Sequence, residues 1–358
     1  MNNIKVGFGF YHHMLNSGTM QFARQCGATH AVVHLVDYHS ASGRESRNDN
    51  QPVGDGGGWG AAGVTAHEWT LENLLRIKRE LASHGLEFFA IENFDPVFWH
   101  DVLLNGPKRD EQIEGLKNII RLAGKVGVSV IGYNFSLAGV AGRISGEFAR
   151  GGAVSVGMEG TDDRAVPNGM VWNMVYDANA QPGGHPAVSE DELWKRLEYF
   201  LHAALPVAEE NGVRLAAHPD DPPVSRLRQQ PRLVYQPGMY QRLLDIRRSP
   251  ANGLEFCIGT IAEMTEGNVY EATDRYTSQG NVAYIHLRNV RGKAPSYREV
   301  FIDEGDVDFT KIVRILKRNR FDGVMIPDHT PQMNCDAPWH AGMAYAIGYM
   351  NALLQAID

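Results

Sequence analysis

The 358-residue sequence has only three cysteines, Cys26, Cys257 and Cys335, an odd number set far apart. A disulfide framework is therefore not expected, and a reducing compartment is. Positive charge is not in excess: 34 Lys and Arg stand against 42 Asp and Glu, a formal net charge of −8. A general nucleic-acid binder presents a clustered basic face, so that class is set aside. No apolar run approaches the roughly 20 residues that cross a bilayer. His12 and His13 also interrupt the N-terminal region before a signal-like segment develops. A cytoplasmic protein with neither membrane nor nucleic-acid partners is the expectation. Phosphate-cradling signatures are missing too. Gly54, Gly56, Gly57, Gly58, Gly60 and Gly63 have no strand before them and helix after them in a GxGxxG frame, and no Gly-Lys-Ser/Thr occurs with them.

What is present is an alternation of short apolar runs with amphipathic stretches. Strands are expected at Lys5–Phe10, His30–Leu35, Glu87–Asn93, Val126–Phe135, Arg214–His218, Leu254–Cys257, Val282–His286 and Gly323–Asp328. Helices are expected at Thr19–Cys26, Leu71–Ser83, Asp110–Lys125, Leu193–Glu210, Gly238–Ile246, Asn268–Thr277, Phe309–Arg318 and Ala341–Ala356. Eight strand-helix units imply a parallel sheet that closes on itself, an α/β fold of the (β/α)8 TIM-barrel kind. No linker divides the chain, so residues 1–358 read as one barrel domain. Two connections are long: Val36–Thr65 after strand two, and Ser136–Ser189 after strand four, which carries Arg143, Arg150 and the apolar run Met170–Val175. Loops of that length are usually functional. The second insertion and Gly54–Gly63 are expected to cover the barrel mouth.

Four consecutive strands end in residues that bind metals: His218, Cys257, His286 and Asp328. Each has a plain explanation alone. A histidine is more often a hydrogen-bonded side chain, a lone cysteine a small buried hydrophobe, and an aspartate a helix cap. Together they occupy the C-terminal strand ends, where barrel active sites lie, and so define a metal site. Two imidazoles, a thiolate and a carboxylate suit Zn, Fe, Co or Mn and disfavour Mg and Ca. His329, next to Asp328, is the acid/base candidate. Arg288 either clamps a substrate carboxylate or makes a salt bridge to Asp220 or Asp221. Asn134, Asp220 and His12 are taken as further substrate-binding candidates, with Tyr133, Glu92 and His13 at other strand ends.

These stretches resemble a known family, the mannonate dehydratases, xylose isomerase-like TIM barrels that act on sugar acids. The resemblance is carried by His218-Pro-Asp-Asp-Pro-Pro223, by Ser249-Pro-Ala-Asn-Gly-Leu-Glu-Phe-Cys257-Ile-Gly, by His286-Leu-Arg288-Asn and by Pro327-Asp328-His329, and more weakly by Gly132-Tyr-Asn-Phe135 and Gly27-Ala-Thr. It implies that His218, Cys257, His286 and Asp328 hold a divalent metal, normally Mn2+, and that His329 is catalytic. The chain departs from the family at three places. Gly7-Phe8-Gly9-Phe10 stands where the family has Arg-Trp-aromatic-Gly, Ile326 stands where it has arginine, and Ala344 stands where it has a catalytic tyrosine. Tyr345, one residue along, is taken with His329 as a catalytic candidate. The expected reaction is dehydration of a sugar acid, D-mannonate to 2-keto-3-deoxy-D-gluconate. Two alternatives stay open: a related isomerase, epimerase or lyase acting on another sugar or keto sugar, and an inert sugar-binding protein. A homo-oligomer, dimer or tetramer, is expected.

Overall fold

The structure is a computed structural model that describes residues 4–39 and 58–357. Eight parallel strands form a closed barrel: β1 (Lys5–Phe10), β2 (His30–Val33), β3 (Glu87–Glu92), β4 (Val130–Tyr133), β5 (Arg214–Ala217), β6 (Asn252–Cys257), β7 (Val282–Leu287) and β8 (Val324–Pro327). Each pairs with its neighbours in chain order, and β1 pairs with β8 through Lys5 with Val324 and Val6 with Met325 to complete the ring. Around it lie α1 (Ser17–Gln25), α2 (Leu71–Ser83), α3 (Arg109–Val126), α4 (Glu190–Glu210), α5 (Met239–Ile246), α6 (Val269–Ser278), α7 (Phe309–Arg318) and α8 (Pro338–Ala356).

Local chemistry explains where these elements begin and end. The Thr70 side chain accepts from Asn73 N and opens α2, whose Leu74, Ile77 and Leu81 fall on one face and are buried. Burying side chains of that size contributes roughly 1.5–3 kcal/mol each. Strand four is shorter than the expected Val126–Phe135. Helix α3 runs on to Val126, and Gly127, at φ 82°, closes it by donating its N–H to Ala123 and Gly124 carbonyls. A left-handed residue ends a helix with least strain when it is glycine. Helix α4 starts three residues before the expected Leu193, because the Ser189 side chain caps it by accepting from Glu192 N. Pro338 at the first turn likewise starts α8 before the expected Ala341.

Strand alternation then places the chemistry. Val32, Ala90, Val130, Ala216, Tyr284 and Ile326 form an apolar cluster inside the barrel. Side chains two residues apart on a strand share a face. One step further along the same inward face stand His34, Glu92, Gly132, His218, His286 and Asp328.

The two insertions are joined to each other. Gly60–Ala61 pairs in parallel with Met174–Val175, which pairs antiparallel with Met170–Val171. Part of the glycine-rich stretch, residues 54–57, lies outside the described residues. The second insertion also forms a hairpin, Arg143–Ala149 with Ala153–Glu159, and its second strand pairs with Ser296–Val300. That strand belongs to a further hairpin, Asn289–Lys293 with Ser296–Val300, between β7 and α7. The sequence reading did not anticipate it, because two five-residue runs with mixed exposure carry no clear hydrophobic period.

Candidate active site

A cavity opens at the C-terminal ends of the strands. Its walls include His218, His286, Asp328 and His329 on one side, Tyr11, His34 and Tyr38 on another, and Trp59, Val140, Arg143 and Trp172 from the insertions. Both insertions thus reach the barrel mouth.

The four expected ligands come together. Ligand atoms of His218, Cys257 and His286 all lie within 4.8 Å of one another. Asp328 joins them, with Oδ2 3.7 Å from Cys257 Sγ and Oδ1 3.6 Å from His286 Nδ1. His218 Nδ1 lies 2.7 Å from the Pro219 carbonyl, which fixes it as the protonated nitrogen and leaves Nε2 for the cluster. His286 Nε2 stands 3.2 Å from Glu92 Oε2 and 3.2 Å from Glu255 Oε1. Its Nδ1 is buried and has no hydrogen-bond partner among the described residues. A carboxylate behind one imidazole nitrogen and a bare second nitrogen facing sulfur and oxygen donors is how proteins orient a metal-binding histidine. The donor set fits a divalent transition metal. Glu92, Glu255 and His286 form a second group close enough to hold a metal, and it shares His286 with the first.

Electrostatics agree with this arrangement. Burial alone would push the Cys257 thiol up, but the Arg288 guanidinium and the two imidazoles bring it down to about 5, so it is a thiolate at neutral pH. Burial opposes the charged form of His218, yet Glu255 and Cys257 raise it to about 9. Burial acts against the Asp328 carboxylate as well, and His329, His286 and Arg288 hold it far below the usual range. Of the paired carboxyls behind His286, Glu92 is held at about 2 against its burial by His34 and His286. Glu255 is pushed up to about 8 by burial and by Glu92.

His329 lines the cavity with its ring between two carboxylates: Nδ1 is 3.0 Å from Glu299 Oε2 and Nε2 is 3.1 Å from Asp328 Oδ1. Glu299 comes from the unanticipated hairpin.

Other expected site residues are placed differently. Arg288 is wholly buried, and its donors meet Glu299 Oε1 at 2.6 Å, Glu263 Oε1 at 2.8 Å, Asp221 Oδ2 at 3.1 Å and Asp328 Oδ2 at 3.1 Å. These four carboxylates, with the Thr260 hydroxyl 2.8 Å from Nη2, surround the guanidinium and leave no bidentate face for a substrate. The salt bridge to Asp221, the competing expectation, is the one found. Asp220 serves the backbone, accepting from Leu233 N and Val234 N and pairing with Arg232 at 3.0 Å. Asn134 does line the cavity, but its amide bonds the His218 and Pro219 carbonyls and accepts from Trp172 Nε1. His12 faces Glu68 at 3.7 Å, outside the described cavity lining, where its neighbour Tyr11 stands instead. Tyr345 sits on the outer side of α8, 37 % exposed, against Phe301 and beside Asp303 and Arg150. It is not among the described residues that line the cavity. The one-position shift from Ala344 turns it about 100° around the helix.

Sequence reasoning missed His34, Glu255 and Glu299, and it named Asp221 only as a partner for Arg288. His34 already lay within the expected strand His30–Leu35, one inward step beyond Val32, and Glu255 lies one inward step back from Cys257. Asp221 ties two guanidiniums, accepting from Arg143 Nη2 at 2.5 Å and Arg288 Nη2 at 3.1 Å. Despite burial, Arg143, Arg288 and His218 hold its carboxyl at about 2. A folded-state value below the unfolded value of about 3.9 means its stabilisation is complete above about pH 4 and is lost as pH falls through about 2. The shift corresponds to about 3 kcal/mol. Asp221→Asn is therefore expected to unfold at clearly lower urea than the parent at pH 7, with the gap narrowing between about pH 4 and pH 2. A gap that stays constant over that range would show that ionisation of Asp221 is not its source.

An eight-stranded parallel barrel with a nitrogen, sulfur and oxygen cluster at its C-terminal strand ends is a xylose isomerase-like TIM barrel. Solved structures agree on the fold. The chain superposes on a xylose isomerase domain protein from Planctomyces limnophilus with a TM-score of 0.59 at 13% identity, covering 99% of this chain and 98% of that one. D-psicose 3-epimerase from Clostridium cellulolyticum H10 gives 0.58 at 9% identity, covering 98% and 99%. Mannonate dehydratase from Streptococcus suis serotype 2 superposes with a TM-score of 0.77 at 27% identity over 99% of this chain and 93% of that one.

In sequence, the profile of the D-mannonate dehydratase (UxuA) family matches residues 61–143 and 168–358. Mannonate dehydratase of Streptococcus pneumoniae (strain 70585) is 31% identical over 310 residues, 80% of this chain and 83% of that protein. Mannonate dehydratase 2 of Halalkalibacterium halodurans is 29% identical over 307 residues, covering 81% and 88%. The chain belongs to the mannonate dehydratase family, and is a hydro-lyase of the sugar-acid dehydratase kind. Among the described residues no helix is long and apolar enough to cross a membrane.

Proposed function

We propose that the protein dehydrates D-mannonate to 2-keto-3-deoxy-D-gluconate, with one divalent metal, Mn2+ by family resemblance, held by His218, Cys257, His286 and Asp328. The observation that carries this reading is the bare, buried His286 Nδ1 facing the Cys257 and Asp328 donors beside His329. A metal there supplies Lewis-acid stabilisation of the charge that develops when a proton is removed α to a carboxylate. Glu92 fixes the ring of His286, and the Pro219 carbonyl fixes that of His218. His329 moves the proton, its ring held by Glu299 and Asp328. Arg143, rather than Arg288, is the guanidinium on the cavity wall and meets the substrate carboxylate. The insertions roof the site and keep water from the enediol.

The test is a panel of sugar acids offered to metal-reconstituted protein, read as 2-keto-3-deoxy product. Turnover of D-mannonate above the other acids is the expected result. One observation favours a second reading, an isomerase or epimerase of another sugar: Ala344 replaces the family's tyrosine and Tyr345 points elsewhere. Sugar interconversion on a parallel panel, with no keto-deoxy product from any acid, would establish that reading in place of the first.

A further inference from the structure

The hairpin Met170–Val171/Met174–Val175 has a two-residue loop, Trp172-Asn173, and both residues are left-handed, at φ 50° and 61°. Paired positive φ values make this a type I′ turn, whose usual occupants are Asn and Gly. Tryptophan is an outlier at its first position, and a strained residue persists only where its surroundings over-determine it. Here they do so from both insertions. On one side Asn173 closes a pair of 2.7 Å bonds with the Val140 backbone, Oδ1 accepting from N and Nδ2 donating to O. A Cβ on Gly139 would lie 2.0 Å from Asn173 Oδ1, so only glycine allows that approach. On the other side Trp59 N donates to Asn173 O at 2.6 Å, and a Cβ on Gly58 would lie 2.9 Å from the same carbonyl.

This scaffold holds one indole in the cavity wall. Trp172 is 7 % exposed, its ring centroid is 5.6 Å from those of Trp59 and of Tyr38, and its Nε1 donates to Asn134 Oδ1 at 3.0 Å. The other end of Asn134 bonds the carbonyls of His218 and Pro219. One rigid side chain thus spans from the aromatic wall to the strand end that bears a cluster histidine, and it sets the gap between them.

We infer that Trp172 is a specificity-determining residue that measures the length of the substrate: with the reacting carbons of a sugar acid seated at the cluster, the indole meets the carbons furthest from them. The inference rests on the dehydratase reading and deepens it. A contact of this kind with the non-reacting end is made equally in ground and transition states, so it acts on KM rather than kcat. An apolar contact of one or two carbons discriminates by about tenfold or more.

The test compares a six-carbon aldonic acid with a four-carbon one of the same configuration at C2 and C3, using metal-loaded parent and Trp172→Ala proteins. The parent is expected to show a markedly lower KM for the longer acid. In Trp172→Ala that preference should shrink by about tenfold, with kcat for the six-carbon acid within about threefold of the parent. Trp172→Leu takes its place should the alanine variant fail to fold with metal bound. An unchanged length preference, or an equal loss on both acids, overturns the inference and leaves the dehydratase reading standing. A parent silent on every sugar acid defeats both.

Discussion

Asp328→Ala protein, loaded with Mn2+ beside the parent and desalted, is expected to carry almost no metal and to show no measurable dehydration. The carboxylate lies 3.6 Å from His286 Nδ1 and 3.7 Å from Cys257 Sγ, so its removal strips one donor from the centre of the cluster. It also takes one of four carboxylates from the buried Arg288, leaving that charge less well compensated. Lewis-acid stabilisation by the proposed metal would supply several kcal/mol, and at about 1.4 kcal/mol per tenfold the rate should fall about a thousandfold or more. His218→Ala is the cleaner companion, since among the described residues that imidazole meets the Pro219 carbonyl, Glu255 at 4.0 Å and the cluster, and no arginine. Metal content by elemental analysis separates lost binding from lost catalysis. Parent-like metal content in both variants would move the metal elsewhere, and the neighbouring Glu92, Glu255 and His286 group would be the next to substitute.

His329→Asn is expected to keep both metal and fold and to lose about 10²- to 10⁴-fold in kcat, the usual contribution of general acid–base catalysis. Asparagine can still donate one hydrogen bond towards Glu299 or Asp328, but it cannot take up and release a proton near neutral pH. The ring's placement makes the loss interpretable: 3.0 Å from Glu299 Oε2 and 3.1 Å from Asp328 Oδ1, it is oriented from both sides without resting on the core. Tyr345→Phe is the contrasting variant. Its hydroxyl lies beside Asp303 and Arg150 on the outside of α8, so activity should hardly change. A His329→Asn enzyme with metal and at least half the parental rate would take His329 out of the reaction.

Residues 1–60 and 144–167 fall outside the span that the family profile matches, yet they supply Tyr11, His34, Tyr38 and Trp59 to the cavity, and the strand Ala153–Glu159 that braces the Glu299 hairpin. His218, Cys257, His286, Asp328 and His329 lie within the matched span, whereas much of the cavity wall facing them does not. Differences in substrate preference between this chain and its relatives are therefore expected to come from that wall more than from the cluster.

The sequence by itself determined the barrel and the convergence of His218, Cys257, His286 and Asp328, because both follow from short-range regularities. Apolar runs alternating with amphipathic ones define β/α units, and a ligand two positions beyond an inward-facing Ala216, Tyr284 or Ile326 must share its face. Only the tertiary structure decided the rest, because it depends on partners distant in the chain. Arg288 looked like a substrate clamp until Asp221, Glu263, Glu299 and Asp328 were folded around it. Tyr345 looked one step from a catalytic position, and the turn of α8 placed it outside. Trp172 was one apolar residue in a long insertion, and its place in the cavity wall comes from Gly58, Gly139 and Asn134, which meet the Trp172-Asn173 turn from both insertions and from the end of β4. Local periodicity says which way a side chain points. What it points at is set by packing between elements, and burial and charge there turn a residue type into a function.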